Sequence, residues 1–229
     1  MEKVARVGFS TEWERCYLDN TQMSVWPWSD VVSLVHRYCN GLISGSGRVL
    51  ELGCGAGANI PFFQALGVDY FAVEGSPAIV KQLHQRYPDF IDQISVGDFT
   101  VVQPFKGAFD LVIDRAAITH NSFTAIKDTL ESVLVSLIPG GIFIGSDWFS
   151  TKHSDYFGGE MSVDKYTRNH YTKGQFIGVG GVHFSDEHHL KELFSQFEIL
   201  LMEEKIIKQY EPLGNHQFAS WNIVARRSL

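Results

Sequence analysis

The chain has 229 residues, 45% of them hydrophobic, with 26 acidic and 19 basic residues and a formal net charge of -7 at pH 7. This length and composition suit a globular protein with a buried core, and we predict a single domain over residues 1–229. The acidic balance disfavours binding to nucleic acid, which depends on neutralising phosphates.

The cysteine pattern and the N-terminus indicate where the protein works. The three cysteines, Cys16, Cys39 and Cys54, are odd in number and widely spaced, which predicts neither a disulfide framework nor a structural zinc site. The N-terminus has no apolar export signal, and no stretch approaches the ~18 apolar residues of a membrane span. We therefore expect a cytoplasmic protein that is not inserted in a membrane.

Residues 1–45 are rich in aromatic side chains. They include Trp13, Tyr17, Trp26 and Trp28. Aromatic rings over a cationic ligand gain cation–π attraction and exclude water. We therefore expect a helical lid in which Trp26 and Trp28 contact the acceptor molecule. The alternative, a hydrophobic flap packed on a sheet edge, suits Trp13 at least equally.

From Val49 onward, short apolar runs alternate with helix-like stretches, the pattern of a parallel sheet with crossover helices. The predicted strands are 49–52, 69–74, 93–98, 109–114 and 141–148. One helix is predicted to begin at Pro77 behind an N-cap at Ser76, and helical spacing of apolar residues predicts another over 124–137.

The last third of the chain begins with residues 149–184, a polar and aromatic segment without clear periodicity that is too long for an ordinary loop. We expect an insertion on the acceptor side, with His153, His170 and Tyr171 binding the acceptor. A solvated loop is the second alternative. A metal site is the third, because the histidine spacing matches no metal signature.

A helix is predicted over 186–194, followed by two strand-like runs at 197–210 and 218–227. No helical crossover fits between the two runs. They should therefore pair antiparallel.

The stretch VLELGCGAGANI, residues 49–60, contains two overlapping nucleotide-binding patterns. Gly53, Gly55 and Ala58 match the dinucleotide fingerprint G-x-G-x-x-G/A, whereas Gly53, Gly55 and Gly57 match E-x-G-x-G-x-G, the turn that binds S-adenosylmethionine (SAM). Glycines let the backbone approach a ligand, and N–H groups at the start of the next helix face it. The turn alone serves a pyrophosphate or an amino-acid carboxylate equally.

Acidic residues around the turn discriminate between these ligands. Glu74 lies 21 residues after Gly53, at the end of the second predicted strand, where ribose hydroxyls bind in both cases. Glu51 lies inside an apolar strand, where its carboxylate would repel a pyrophosphate and suit an ammonium group. Asp98 and Phe99 offer an acceptor and a ring for an adenine. SAM is favoured, and an NAD-dependent oxidoreductase is the main alternative.

The ordered segments VLELGCGAGAN, FAVEGS, VGDF, FDLVIDRAA and LIPGGIFIGSDW resemble the motifs of class I SAM-dependent methyltransferases over about residues 45–150. The closing strand pair is similar to that family's last two strands. The resemblance implies an α/β fold with a seven-stranded, mostly parallel Rossmann-like sheet, helices on both faces and one antiparallel strand. It also implies that SAM is the cofactor and S-adenosylhomocysteine (SAH) the product.

The resemblance also assigns roles to residues. Glu51 and the glycine turn would face the methionine part of SAM, Glu74 its ribose, and Asp98 with Phe99 its adenine. The full set of implied cofactor-binding residues is Glu51, Gly53, Cys54, Gly55, Gly57, Glu74, Gly75, Ser76, Gly97, Asp98, Phe99, Asp114 and Arg115. Asp114 would end its strand at the methyl-transfer site.

A finer resemblance concerns the acceptor. DRAAI at 114–118, and EWERCYLDN followed by VWPW, are similar to segments of thiopurine-type methyltransferases. Residues 149–184 have no counterpart in that group, so its acceptors are not carried over. The asparagine-proline-proline-aromatic motif of nucleobase methyltransferases is absent, which disfavours nucleic acid as the acceptor.

Methyl transfer is an in-line displacement that depends chiefly on positioning, and a base helps only when the acceptor must lose a proton. We hypothesise that His120 is this base, because imidazole titrates near neutrality. The alternative is a capping or pocket-lining side chain. Asp114 is expected to organise SAM and acceptor, and Asp147 to bind the acceptor.

We thus predict a SAM-dependent methyltransferase acting on a small soluble acceptor, such as a sugar or a natural-product intermediate. A protein or RNA acceptor, and a SAM-binding protein without catalytic activity, are the further alternatives. No metal is predicted.

Overall fold

The structure is a computed structural model that describes residues 9–102, 104–212 and 214–229. Its α-helices are α1 (Thr11–Leu18), α2 (Ser29–Tyr38), α3 (Asn40–Ile43), α4 (Ile60–Leu66), α5 (Pro77–Arg86), α6 (Phe123–Ser136) and α7 (Glu187–Leu193). Its strands are β1 (Arg48–Leu52), β2 (Asp69–Glu74), β3 (Ile94–Val96), β4 (Phe109–Arg115), β5 (Leu137–Phe149), β6 (Glu160–Met161), β7 (Thr167–Asn169), β8 (Val182–His183), β9 (Glu198–Lys208) and β10 (Gln217–Arg226). None of these helices is long and apolar enough to span a bilayer.

The main sheet has seven strands in the order β3-β2-β1-β4-β5-β10-β9. Strands β1 to β5 pair in parallel. Strand β10 lies between β5 and β9 and is antiparallel to both. The predicted seven-stranded, mostly parallel sheet and the antiparallel pairing of the two C-terminal runs are confirmed.

Both faces of the sheet are buried under helices. Successive residues of a strand point to opposite faces, so each central strand contributes apolar side chains to both. One face packs on α2, α4 and α5 through a cluster that includes Val49, Leu111, Leu34, Phe63 and Val80. The other face packs on α6 and α7 through a cluster that includes Leu50, Val112, Ile126, Leu130 and Leu190. Helix α2, which the sequence assigns to the lid, is thus part of the core.

Element boundaries follow local hydrogen bonds. The Ser76 hydroxyl accepts the Ile79 N–H at 3.2 Å, so α5 begins at Pro77 as predicted. Strand β3 is shorter than predicted, because the Asp98 carboxylate accepts the Thr100 N–H and forms a turn. Strand β5 begins at Leu137, earlier than predicted, because that residue pairs with Phe109.

Residues 149–184 form a packed unit instead of an irregular loop. Strands β6, β7 and β8 make a small antiparallel sheet. A cluster of buried side chains fills the unit and includes Phe149, Tyr171, Phe176, Val179 and Phe184. Strands of two or three residues are too short to produce a period in the sequence, which is why the sequence predicts no strand here.

A chain of buried hydrogen bonds supports the small sheet. The Thr167 hydroxyl donates to Asp164 at 2.8 Å and lies 2.9 Å from His183 Nδ1. His183 Nε2 lies 2.9 Å from His189 Nε2. Because the Thr167 proton points to Asp164, His183 Nδ1 donates to Thr167 and His183 Nε2 accepts from His189. The His183 ring is therefore neutral, and burial lowers its pKa to about 3.

This chain of hydrogen bonds predicts how stability depends on pH. The unfolded His183 takes up a proton below a pKa of about 6.5, whereas the buried ring does not. From pH 7.5 to 5.5 the wild type should therefore lose about 1.4 kcal/mol of unfolding free energy that a His183→Asn variant does not lose. Urea unfolding of both proteins at both pH values measures the difference. Parallel pH dependences would contradict the buried neutral state.

Candidate active site

A cavity of about 260 Å³ opens at the carboxyl ends of β1, β2 and β4. The strand order reverses between β1 and β4, and ligands of open α/β sheets bind at such a switch point. Helix α1, the loop after β4, residues 149–184 and β10 complete the walls. The predicted site residues that line the cavity are Trp28, Glu51, Gly53, Cys54, Gly55, Glu74, Gly75, Gly97, Asp98, Phe99, Arg115 and His120.

The glycine turn depends on backbone conformations that favour glycine. Gly53 and Gly55 have φ angles of 69° and 52°. A Cβ on Gly53 would overlap Ala117, and one on Gly55 would lie 2.9 Å from the Tyr17 hydroxyl. The turn is therefore fitted closely between the loop after β4 and helix α1.

Two residues of the implied cofactor set lie next to the cavity without lining it. A Cβ on Gly57 would crowd Leu83 and Ile60, so this glycine permits close packing of the turn on α4 and α5. Ser76 is fully buried and caps α5. Both support the turn through packing.

Glu51 is a buried acid on the floor of the cavity. Its carboxylate accepts hydrogen bonds from Asn59 Nδ2 at 2.8 Å and from the Tyr70 hydroxyl at 2.6 Å. Burial raises the pKa of Glu51 to about 7, against the lowering effect of these two donors. A cation bound beside it would favour the charged form.

Glu74 ends β2, and Asp98 lies in the turn that follows the neighbouring strand β3. Glu74 accepts the N–H groups of Gly55 at 2.9 Å and Ser76 at 3.0 Å, and burial raises its pKa. Asp98 accepts the Phe9 N–H at 3.0 Å through the oxygen that does not bind Thr100. Glu74 thus holds the glycine turn in place, and Asp98 holds the backbone of Phe9, the first described residue.

Asp114 lies beneath the cavity and does not reach it. The residue is 1% exposed, and its carboxylate accepts the N–H groups of Ala117 and Ile118, both at 2.9 Å, and the indole N–H of Trp148 at 2.6 Å. Burial raises the pKa of Asp114 to about 7. Its oxygens are used to hold the loop after β4, so the structure gives it a supporting position instead of the contact with reactants that the sequence implies.

His120 lies at the end of that loop and lines the cavity. Its Nδ1 lies 3.1 Å from the Gly181 carbonyl oxygen, and its ring packs edge-on against Trp13 and Phe149. A carbonyl only accepts hydrogen bonds, so Nδ1 carries the proton and Nε2 has the free electron pair. Burial lowers the pKa of His120 to about 4, so the ring is neutral at pH 7.

Arg115 is the cavity-lining residue with a guanidinium group. Its Nη2 lies 3.0 Å from Asp147 Oδ2, and its guanidinium stacks on Trp28 with 3.7 Å between the guanidinium carbon and the ring centroid. Asp147 also pairs with Lys205 and accepts from the Ser220 hydroxyl. These partners occupy both carboxylate oxygens of Asp147, and the residue does not line the cavity.

The remaining acceptor residues implied by the sequence lie outside the cavity lining. Trp26 is 74% exposed, and His170 is exposed too. Tyr171 is buried behind Phe176. These positions follow from packing between distant segments, which the residue types alone do not reveal.

His153 is 1% exposed and forms a group with Asp155 and His216 whose potential ligand atoms lie within 4.8 Å. His153 Nδ1 accepts the Asp155 N–H at 3.0 Å. The neutral ring therefore carries its proton on Nε2 and has no free electron pair there for a metal.

Two aromatic residues of the predicted lid, Trp13 and Tyr17, also line the cavity. Wall residues to which the sequence assigns no ligand role include Asn121, Phe149, Gln175, Phe176, Val179 and Phe218. The spacing of Trp13 and Tyr17 on α1 is a signal for a shared helix face. No comparable signal marks the others, which come from three separate parts of the chain.

The tight fit of the glycine turn predicts the effect of adding a methyl group. Gly53→Ala should cost about 1–2 kcal/mol for the left-handed backbone, and about 1–3 kcal/mol more for the overlap with Ala117. Gly67→Ala is the matched control, because Gly67 has φ 71° but no neighbour within 4 Å of the added Cβ. Urea unfolding compares the two. Equal losses of unfolding free energy in the two variants would show that the added methyl group at position 53 does not clash with Ala117.

A family model described as a methyltransferase domain matches residues 29–199. No match was found among curated protein sequences.

Several solved structures share the fold. A SAM-dependent methyltransferase from Methanosarcina mazei is 16% identical, with 86% of this chain and 97% of that chain covered and a TM-score of 0.66. TehB from Haemophilus influenzae is 15% identical, with coverages of 94% and 67% and a TM-score of 0.62. A 1,6-didemethyltoxoflavin-N1-methyltransferase from Burkholderia thailandensis is 17% identical, with coverages of 100% and 98% and a TM-score of 0.56. With most of its length matched by the methyltransferase-domain model, the chain belongs to this family and is a class I SAM-dependent methyltransferase.

Proposed function

We propose that this enzyme methylates a small soluble molecule bound in the same cavity as SAM, with His120 beside the reacting atom. The observation that carries the proposal is that one cavity joins the glycine turn to a group of aromatic side chains, with His120 in its wall. Such an arrangement brings donor and acceptor together out of water. Positioning of this kind accounts for most of the acceleration of a displacement reaction.

The charges of the cavity suit SAM. Glu51, Glu74 and Asp98 line it, and Arg115 is already paired with Asp147. Three carboxylates favour the ammonium and hydroxyl groups of SAM and disfavour the pyrophosphate of NAD. Gly53 and Gly55 line the cavity, so their backbone is available for contact with the methionine part. We assign Glu51 to the ammonium group, Glu74 to the ribose and Asp98 to the adenine.

SAM supplies an electrophilic methyl group when it is bound, and the chain supplies positioning and a proton acceptor. His120 Nε2 accepts a hydrogen bond from the nucleophile of the acceptor and orients it toward the methyl group. The Gly181 carbonyl keeps Nε2 free of a proton. Asp114 acts indirectly, because it holds the N–H groups of the loop that carries His120.

A small acceptor is favoured over a protein or an RNA. Trp13 of α1 and Phe149, Phe176 and Val179 of the 149–184 unit line the cavity, and we assign the acceptor to this part of it. The fold relative from Burkholderia thailandensis was solved with bound 1,6-didemethyltoxoflavin and SAH, which are both small molecules. A cytoplasmic location is proposed from the cysteine pattern.

Two measurements test this function. SAH, but not NAD, should raise the melting temperature, because a ligand that binds the native state stabilises it. A cell extract incubated with the enzyme and methyl-labelled SAM should then acquire label in its small-molecule fraction. Label in the protein or RNA fraction instead would refute the small acceptor.

The assigned role of Glu74 gives a prediction about affinity. Glu74→Gln removes a charged hydrogen-bond acceptor and should weaken SAH binding by about 10- to 100-fold in calorimetry. Glu131→Gln, an exposed site on α6, is the control and should bind SAH as the wild type does. Unchanged affinity in Glu74→Gln would remove Glu74 from the cofactor site.

A further inference from the structure

The acceptor side of the cavity has an apolar wall. We call it the acceptor chamber and define it by Trp13, His120, Phe149, Phe176, Val179 and Phe218, all of which line the cavity. The rings contact one another edge to face. Ring centroids lie 4.8 Å apart for Trp13 and His120, 5.8 Å for His120 and Phe149, and 4.7 Å for Phe149 and Phe176. Flat faces and edges of this kind pack best against another flat ring.

None of the residues that define the chamber carries a charge at pH 7, since His120 is neutral. Among the described residues that line it, the charged side chains are Glu51, Glu74, Asp98 and Arg115. The three acids belong to the ends of the strands and the glycine turn, and Arg115 is stacked on Trp28 and paired with Asp147. The charge of Arg115 acts on His120, but that guanidinium is already paired with Asp147. A charged acceptor would therefore lose its hydration in the chamber without gaining an unpaired counter-charge.

Two polar residues of the cavity wall, Asn121 and Gln175, neighbour the chamber residues along the chain. Asn121 uses its Nδ2 on the carbonyls of Ala117 and Ile118. Gln175 is at the solvent-exposed rim. A sugar carries many hydroxyl groups, and each of them loses free energy when it is buried without a partner.

His120 is the wall residue with a fixed hydrogen-bond polarity. Because its Nδ1–H donates to Gly181, Nε2 accepts from a ligand and does not donate. A ligand that is recognised here must therefore bring an N–H or an O–H.

We infer that the acceptor is a flat, uncharged aromatic or heteroaromatic molecule whose ring N–H or phenolic O–H donates to His120 Nε2 and is the site of methylation. This inference rests on the proposed function and names its acceptor class. The acceptor heteroatom forms a bond to the methyl carbon, and the carbon–sulfur bond breaks with its electron pair remaining on sulfur. The displaced proton passes to His120 Nε2 and from there to water.

Matched probes test the chamber in the full-length protein saturated with SAH. Calorimetry compares 3-methylindole with 1-methylindole, which has the same size but no N–H. One hydrogen bond should make 3-methylindole bind about 3- to 10-fold more tightly. Glucose and phenyl phosphate should bind more weakly than 3-methylindole. Equal binding of the two indoles, or tighter binding of glucose or phenyl phosphate, would overturn the inference.

Two variants assign the effect to the chamber. His120→Phe keeps a ring but removes Nε2, so the ratio of the two indole affinities should fall to about one. Phe176→Ala should weaken both indoles, and Phe157→Ala, an 84% exposed site, should weaken neither. Wild-type affinity for SAH shows that a variant is folded. If His120→Phe does not bind SAH, His120→Leu replaces it. A ratio that is unchanged in the folded variant contradicts the role of His120.

The outcomes distinguish failure of the proposed function from failure of the proposed acceptor class. Failure of the wild type to bind SAH would contradict the proposed function itself. SAH binding together with a preference for glucose or phenyl phosphate would leave that function in place and contradict the acceptor class alone.

Discussion

The buried carboxylate of Asp114 is the interaction on which the site depends. It joins the end of β4 to the loop that follows and to the indole of Trp148 on β5. Ala117 in that loop lies against Gly53, so the loop also sets the position of the glycine turn. His120 ends the same loop and reaches Gly181. Three donors on one carboxylate thus locate both halves of the cavity.

Buried carboxylates lie in the wall of the cavity and beneath it, where the dielectric constant is low. Glu51 and Asp114 both have a pKa raised to about 7, chiefly by burial, and the charge of Glu51 contributes to the shift of Asp114. A ligand with a positive charge relieves this cost, since it favours the ionised carboxylates. Electrostatics would therefore favour a cationic ligand at this site, in addition to the shape of the glycine turn.

Local signals in the sequence predict most strands of the main sheet and several of the helices between them. The apolar runs from Val49 onward, the cap at Ser76 and the spacing in α6 predict elements that the structure reproduces to within a few residues. The strand pair at the C-terminus followed from the lack of room for a crossover helix. These features depend on neighbours along the chain, and such neighbours are visible in a sequence.

The walls of the site were less accessible to sequence analysis. His120 meets Gly181, 61 residues away, and Phe218 joins them from β10. Trp26 and His170 lie in segments that the sequence assigns to the acceptor side, yet both are exposed and neither lines the cavity. Likewise, a strand-end acid such as Asp114 is suited equally to a ligand and to neighbouring N–H groups, and only three-dimensional contacts decide between them.

The bond from His120 to a backbone carbonyl has a consequence for how this protein can diverge. A main-chain oxygen is present whatever residue occupies position 181. Side-chain substitutions in the 149–184 unit therefore leave the hydrogen-bond acceptor that keeps the proton on His120 Nδ1. The side chains that form the wall, such as Phe176 and Val179, have no such constraint. The unit is therefore free to evolve new ligand shapes while it preserves the chemistry of the histidine.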